Sequence, residues 1–386
     1  MNFEPTDEQA ALADSVRRVL ADHCRFEQRR AIVATPHGRS PELFAHLAQL
    51  GLTALCVPEA QGGFGARAED LLPVLQACGA ALLPEPLLGS AVLATTALAH
   101  ADAALQARWL PLLAQGRTLL AWAHDEAGAG HADPWTETSA TAQAGAWRLH
   151  GAKINVLHAA SARAFVVSAR VAGQAGDALG RALFLVEADT AGLRRRDHRL
   201  VDDTPAAELQ LDAAAALPLF DPTDAAVARR AFDAVRAIGM AALCADMLGA
   251  AEMAYRLAVD YLNVRKQFGR TLGSNQALRH RAADMLVSLE SARAMAIAAA
   301  VAADRPLDEG SAADLHRAKF IVGRHARQVA HHAIQCHGGI GMTEEYAVGH
   351  CLRRIHVADQ LFGDAEAHAR RLAALLQAGA AVPEAA

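Results

Sequence analysis

A mostly helical protein with one β domain in the middle is the fold class that the sequence predicts, and three observations predict it. The apolar share is high at 53% while aromatic residues make up only 5%. Much of the apolar share is alanine, which favours close-packed helices over an aromatic-rich β core. Helical periodicity dominates both ends of the chain, whereas short apolar runs broken by Gly, Asp and Thr fill the middle. With 386 residues, two or three packed units are expected rather than one core. The expected division is an N-terminal helical domain over 1–115, a β domain over 116–220 and a C-terminal helical bundle over 221–386.

The first helix follows a capping box made by Thr6 and Gln9, with Asp7 and Glu8 in its first turn. Leu12, Val16, Val19 and Leu20 then share a face. Helices are expected near Pro41–Leu50, Glu69–Leu83, Ser90–His100 and Asp102–Ala114, with a glycine-rich turn over residues 57–65. Leu119–His124, Trp147–Ile154, Ala164–Ala169, Ala182–Glu187 and Glu208–Leu211 read as antiparallel strands. Asp221-Pro222-Thr223-Asp224 is a helix-start signal. Helices over about 224–264, 275–303, 311–336 and 365–378 then suggest a four-helix bundle. The small residues of Gly379–Ala386 are expected to fray.

Composition removes several function classes. A net charge of −5 and a pI near 6.4 give no reason to expect a nucleic-acid partner. Arg, Asp, Gln or His interrupts every apolar run, so no membrane insertion is expected. Six widely spaced cysteines without a CxxC pair read as reduced thiols in a cytoplasmic protein. The N-terminus lacks a basic segment followed by an apolar one, so no secretory signal is read there.

Two segments in the last third carry chemistry. In Tyr261-Leu262-Asn263-Val264-Arg265-Lys266-Gln267-Phe268-Gly269, Arg265 and Lys266 offer charge-assisted bonds to phosphate, and Phe268 offers a face for ring stacking. A cationic helix end that complements the dipole is the competing reading. In Gln335-Cys336-His337-Gly338-Gly339-Ile340-Gly341, the glycines let backbone N–H groups approach a ligand. A glycine-capped helix end is the competing reading there.

Together the two segments resemble the acyl-CoA dehydrogenase family, through Arg-x-Gln-Phe-Gly, Gln-x-x-Gly-Gly-x-Gly and the helix–β–helix order. Pro58-Glu59-Ala60-Gln61-Gly62-Gly63-Phe64-Gly65 resembles the family's N-terminal turn. The stretches 261–269, 337–343 and 361–364 most resemble members acting on a dicarboxylyl-CoA. The resemblance implies an acyl-CoA dehydrogenase-like fold, in which the middle domain is barrel-like and the last is a four-helix bundle. It also implies an FAD enzyme that converts an acyl-CoA to the trans-2-enoyl-CoA and passes electrons to an electron-transfer flavoprotein. It implies a homotetramer or a heterotetramer with a second subunit, and a cofactor site shared between subunits. Carried over, Arg265, Phe268, Gln335, Gly338 and Gly339 are assigned to FAD, with Gly130 and the backbone at Val156 and Leu157 on the flavin side.

The resemblance breaks at the catalytic base. The position of the family's Glu falls on Phe362, and the family's second solution falls on Gly239. Asp364 is the nearest carboxylate; its competing reading is the cap of the next helix. The family's Trp and Thr beside the flavin are replaced within Lys153-Ile154-Asn155-Val156-Leu157-His158. His158 is a candidate flavin neighbour or a structural histidine. The alternatives are therefore a non-catalytic FAD-binding partner subunit, or a flavin-dependent monooxygenase on the same scaffold.

Overall fold

The computed structural model describes residues 4–380 except 133, 144 and 306–308. The order of elements is helices, then strands, then long helices. Contacts within the chain gather it into two compact units: Met1–Arg29, Ala68–Leu83 and Met240–Ala386 in the first, Arg30–Arg67 and Pro84–Gly239 in the second.

The helices are α1 (Asp7–His23), α2 (Phe26–Val33), α3 (Pro41–Gln49), α4 (Ala68–Ala80), α5 (Thr95–Leu98), α6 (Ala103–Ala114), α7 (Ala225–Val264), α8 (Gln276–Ala303), α9 (Glu309–His337), α10 (Ala347–Gln360) and α11 (Ala365–Ala380). In the first unit, Thr6 and Gln9 form the expected capping box. The carboxylate of Asp304 accepts from the first free N–H groups of α4, Ala68 N at 2.7 Å and Glu69 N at 3.0 Å. α4 meets α7 backbone to backbone. A Cβ on Gly249 would lie 1.9 Å from the Gln76 carbonyl oxygen, and one on Gly79 would lie 2.1 Å from that of Asp246. Only glycine allows this approach. Arg354 then clamps Asp246 with Nε and Nη2 bonds of 2.8 and 2.9 Å.

The second unit holds β1 (Leu120–Ala123), β2 (Ser139–Gln143), β3 (Ala146–Leu157), β4 (Ala164–Arg170), β5 (Arg181–Glu187), β6 (Leu193–Arg199) and β7 (Pro205–Pro218). β4, β2, β3, β7 and β5 pair in a ring that closes back on β4, while β1 and β6 attach to it. The ring makes a barrel-like core whose β4 is buried along its whole length. The antiparallel expectation needs correcting: β1 pairs with β4 in parallel, as does the single Ser139–Arg170 bridge of β2 and β4. The β2–β3 hairpin and the segments flanking it lie between β1 and β4 in the chain and supply the long connection that a parallel pairing needs.

Other expectations also change. The segment expected to be an α-helix from Ser90 is a π-helical stretch over Leu87–Ala94, leading into α5. α10 adds a fifth helix to the four expected after residue 221. α11 continues through Ala380, two residues into the stretch expected to fray, while 381–386 lie outside the described residues. By length and composition, α7 and α8 are apolar enough to cross a membrane, contrary to the sequence expectation. Within the protein, 83% of the apolar stretch of α7 is buried but only 44% of that of α8. Alanine explains the excess, since it raises mean hydropathy without large side chains. All six cysteines are free.

Candidate functional site

The two glycine-bearing turns of the first unit are rooted together. Tyr261, at the end of α7, stacks on His337, at the end of α9, with ring centroids 4.6 Å apart. His337 Nδ1 lies 2.7 Å from the Ala333 carbonyl oxygen and Nε2 lies 3.2 Å from Tyr346 Oη. Burial lowers the pKa of His337, which favours a neutral ring. Beyond these roots the chain opens outward. Phe268 has φ +54 and is 97% exposed, with Val264 and Met342 also largely exposed. Arg265, Gln335, Gly338 and Gly339 are exposed as well, and no atom lies within 4 Å of a Cβ built on Gly338 or Gly339. A guanidinium, an uncovered aromatic face and bare backbone form a surface that fits a phosphate-bearing aromatic cofactor.

The turn 361–364 is held differently. Phe362 has φ +59 and Gly363 φ +99. The fully buried Lys319 donates to the carbonyl oxygens of Ala358 (3.1 Å), Asp359 (2.8 Å) and Gly363 (3.1 Å). These bonds use all three of its donors. The buried Asp359 carboxylate lies 3.9 Å from Lys319 and 3.7 Å from Arg327. Burial raises its pKa against the pull of both cations. Asp364 Oδ1 accepts from Ala367 N at 2.7 Å, so Asp364 caps α11. His316 and His368 lie behind the turn with Nδ1 atoms 2.8 Å apart.

In the second unit the stretch expected on the flavin side is built around a buried ion pair. Lys153 Nζ contacts Glu126 Oε1 at 2.6 Å, Ser168 Oγ at 2.9 Å and the His124 carbonyl oxygen at 3.1 Å. Glu126 also accepts from the backbone N–H groups of Glu137 and Thr138. Burial lowers the Lys153 pKa to about 8. Burial alone would raise that of Glu126, but the Lys153 ammonium and its other donors bring it below the usual range. The pair ties the 125–130 turn to β3 and β4. The turn ends at Gly130, φ +50, where a Cβ would meet nothing within 4 Å. Register shifts in β3 between Lys153 and Val156, and Val156 and Leu157 then pair with Ala207 and Ala206 of β7. Val156 is buried and Leu157 half-buried. His158 Nε2 lies 2.8 Å from the Pro84 carbonyl oxygen, a structural contact.

The sequence comparison reaches every part of this architecture. Family profiles for the acyl-CoA dehydrogenase N-terminal, middle and C-terminal domains match residues 6–117, 120–214 and 226–377. The chain belongs to the acyl-CoA dehydrogenase family. It is 30% identical to acyl-CoA dehydrogenase IpdE2 of Mycobacterium tuberculosis, over 95% of this chain and 97% of that one. Among solved structures it is similar to a Tcur3481–Tcur3483 steroid ACAD variant, with TM-score 0.86, 30% identity and 97% and 99% of the two chains covered. It is also similar to the ChsE4–ChsE5 complex of Mycobacterium tuberculosis, with TM-score 0.85, 25% identity and 99% and 100% covered. As a member of this family it is an FAD-dependent oxidoreductase of the acyl-CoA dehydrogenase type.

Sequence reasoning missed Lys153 with Glu126 and Lys319 with Asp359 as organising groups. The partners are 27 and 40 residues apart, and lysine ordinarily reads as surface.

Proposed function

We propose that this chain is one subunit of a heteromeric acyl-CoA dehydrogenase, holding FAD while another chain supplies the catalytic base. The assembly oxidises an acyl-CoA at Cα and Cβ to the trans-2-enoyl-CoA. One observation carries this reading: Phe362 stands where the family's Glu falls, and the neighbouring carboxylate, Asp364, is engaged as the cap of α11. The two-component names of the Tcur3481–Tcur3483 and ChsE4–ChsE5 structures support it.

In this reading the Arg265 guanidinium pairs with the FAD pyrophosphate, Phe268 stacks on a ring, and Gln335, Gly338 and Gly339 present polar and backbone groups. Gly130 and the backbone at Val156 and Leu157 serve the flavin ring. Bound FAD supplies the acceptor for the Cβ hydride. Lys153 and Glu126 fix the shape of the flavin-side turn. The exposure of Phe268 and Met342 supports a site completed by a neighbouring subunit, in a tetramer located in the cytoplasm. An electron-transfer flavoprotein is the proposed acceptor. The likeness of residues 261–269, 337–343 and 361–364 to a pimeloyl-CoA dehydrogenase small subunit supports a carboxylated acyl tail, although none of the relatives named above bears that name.

Flavin content and mass test the assignment. Expressed alone, the chain is expected to hold less than one FAD per protomer. Co-expression with a base-carrying subunit restores stoichiometric flavin and tetramer mass, and Arg265→Ala removes flavin again. Full flavin in an Arg265→Ala homotetramer would reject it.

A further inference from the structure

The second unit contains an open cleft of about 640 Å³ away from the flavin-side turn in sequence. Arg39, Arg108, Arg117 and Arg163 line it, and no Asp or Glu does. Four arginines lining one cleft are unexpected in a chain of net charge −5. Two of them are pre-set. Arg39 lies over the Phe44 ring at 4.9 Å and Arg108 over the Trp109 ring at 4.8 Å, so part of their rotamer freedom is already lost. These two also have acid partners outside the lining, Glu85 at 3.4 Å and Glu187 at 2.6 Å. Arg117 and Arg163 are exposed. Among the described residues neither makes an ion pair, and Arg117 has only a 3.4 Å contact with Gln115 Oε1. The cleft therefore carries positive charge that its surroundings do not neutralise.

A second observation concerns a donor. Trp109 is 3% exposed, and its indole N–H lacks a hydrogen-bond partner among the described residues. A buried donor without a partner costs stability unless something accepts from it. Thr118 and Ser161 add hydroxyls to the lining, while Leu112 and Leu119 supply apolar wall.

The geometry points to a binding site for a phosphorylated small molecule of nucleotide size, its phosphates held by Arg117 and Arg163 and flanked by Arg39 and Arg108. The volume exceeds what inorganic phosphate alone would fill and lies in the range of small-ligand pockets, about 300–1,000 Å³. Guanidinium forks match phosphate oxygens in pairs. Glu85 adds a pH dependence: burial raises its pKa to about 7, so mild acid discharges the partner of Arg39 and increases the positive charge at the cleft.

Calorimetric titration of the FAD-loaded protein with ADP, inorganic phosphate and adenosine tests the site. ADP is expected to bind, phosphate to bind more weakly, and adenosine to give no heat. The Arg117→Ala/Arg163→Ala double variant should retain its FAD and melting temperature, because both side chains are exposed. It should bind ADP at least about tenfold more weakly, the loss expected for charge-assisted bonds. Parent affinity in the double variant would place ADP in another site and overturn the proposal. So would absent ADP binding by the parent, or adenosine binding as tightly as ADP.

Discussion

Two buried lysines, one in each compact unit, perform opposite kinds of electrostatic work. Lys153 meets a carboxylate at 2.6 Å, and that carboxylate is also satisfied by two backbone N–H groups. Lys319 spends its donors on three backbone carbonyls and leaves its acid, Asp359, at 3.9 Å. The first arrangement shapes a turn beside the proposed flavin ring. The second pins the turn 361–364, where the proposed function puts Phe362 in place of the family's base. A buried charge is tolerated when its hydrogen bonds are complete, whether its partners are ions or dipoles.

Lys153→Met should have the largest effect. It strands the Glu126 carboxylate in the core, costing about 3–5 kcal/mol, and should release flavin; urea denaturation and the flavin absorbance of the purified variant measure both. Lys319→Met should cost less, about 2–3 kcal/mol, because Arg327 still faces Asp359 while three carbonyls lose a donor. If the variants prove equally stable, the distinction between the two lysines fails. Asp364→Ala should remove an N-cap worth about 1 kcal/mol. Measured with the base-carrying partner present, turnover should survive it; loss of turnover with flavin retained would make Asp364 the base.

The acids should respond to pH with opposite signs. Glu126 has a lowered pKa in the folded protein, so its contribution is present above the unfolded pKa and is lost as pH falls through the folded one. Asp359 has a raised pKa, so its contribution is fully present below the unfolded value and is lost as pH rises through the folded one. On acidification the parent should lose stability relative to Glu126→Gln and gain it relative to Asp359→Asn. Denaturation midpoints across pH 4 to 8 would show whether the two difference curves slope apart.

The helix–β–helix order was legible because it rests on local periodicity, and the Thr6–Gln9 box because its partners are three residues apart. β6 was not, since Leu193–Arg199 is nearly all Arg, Asp and His and lies mostly exposed. α10 mixes arginines and histidines with its buried Val348, Cys351 and Ile355, which blurs the apolar stripe. The parallel β1–β4 pairing joins residues 44 apart, Leu120 to Ala164, and nothing local encodes it. At the site, glycines and Arg265 stood out by residue type. The supports did not, because Lys153 and Lys319 act through burial that only tertiary structure creates.

The central claim is that this chain holds flavin but lacks its own base. Anaerobic titration of the FAD that the isolated chain retains with a panel of acyl-CoA thioesters, before and after addition of a base-carrying partner subunit, tests it most directly. The account predicts that flavin absorbance persists with the chain alone and bleaches once the partner is added. Bleaching of the isolated chain by any acyl-CoA in the panel would contradict it.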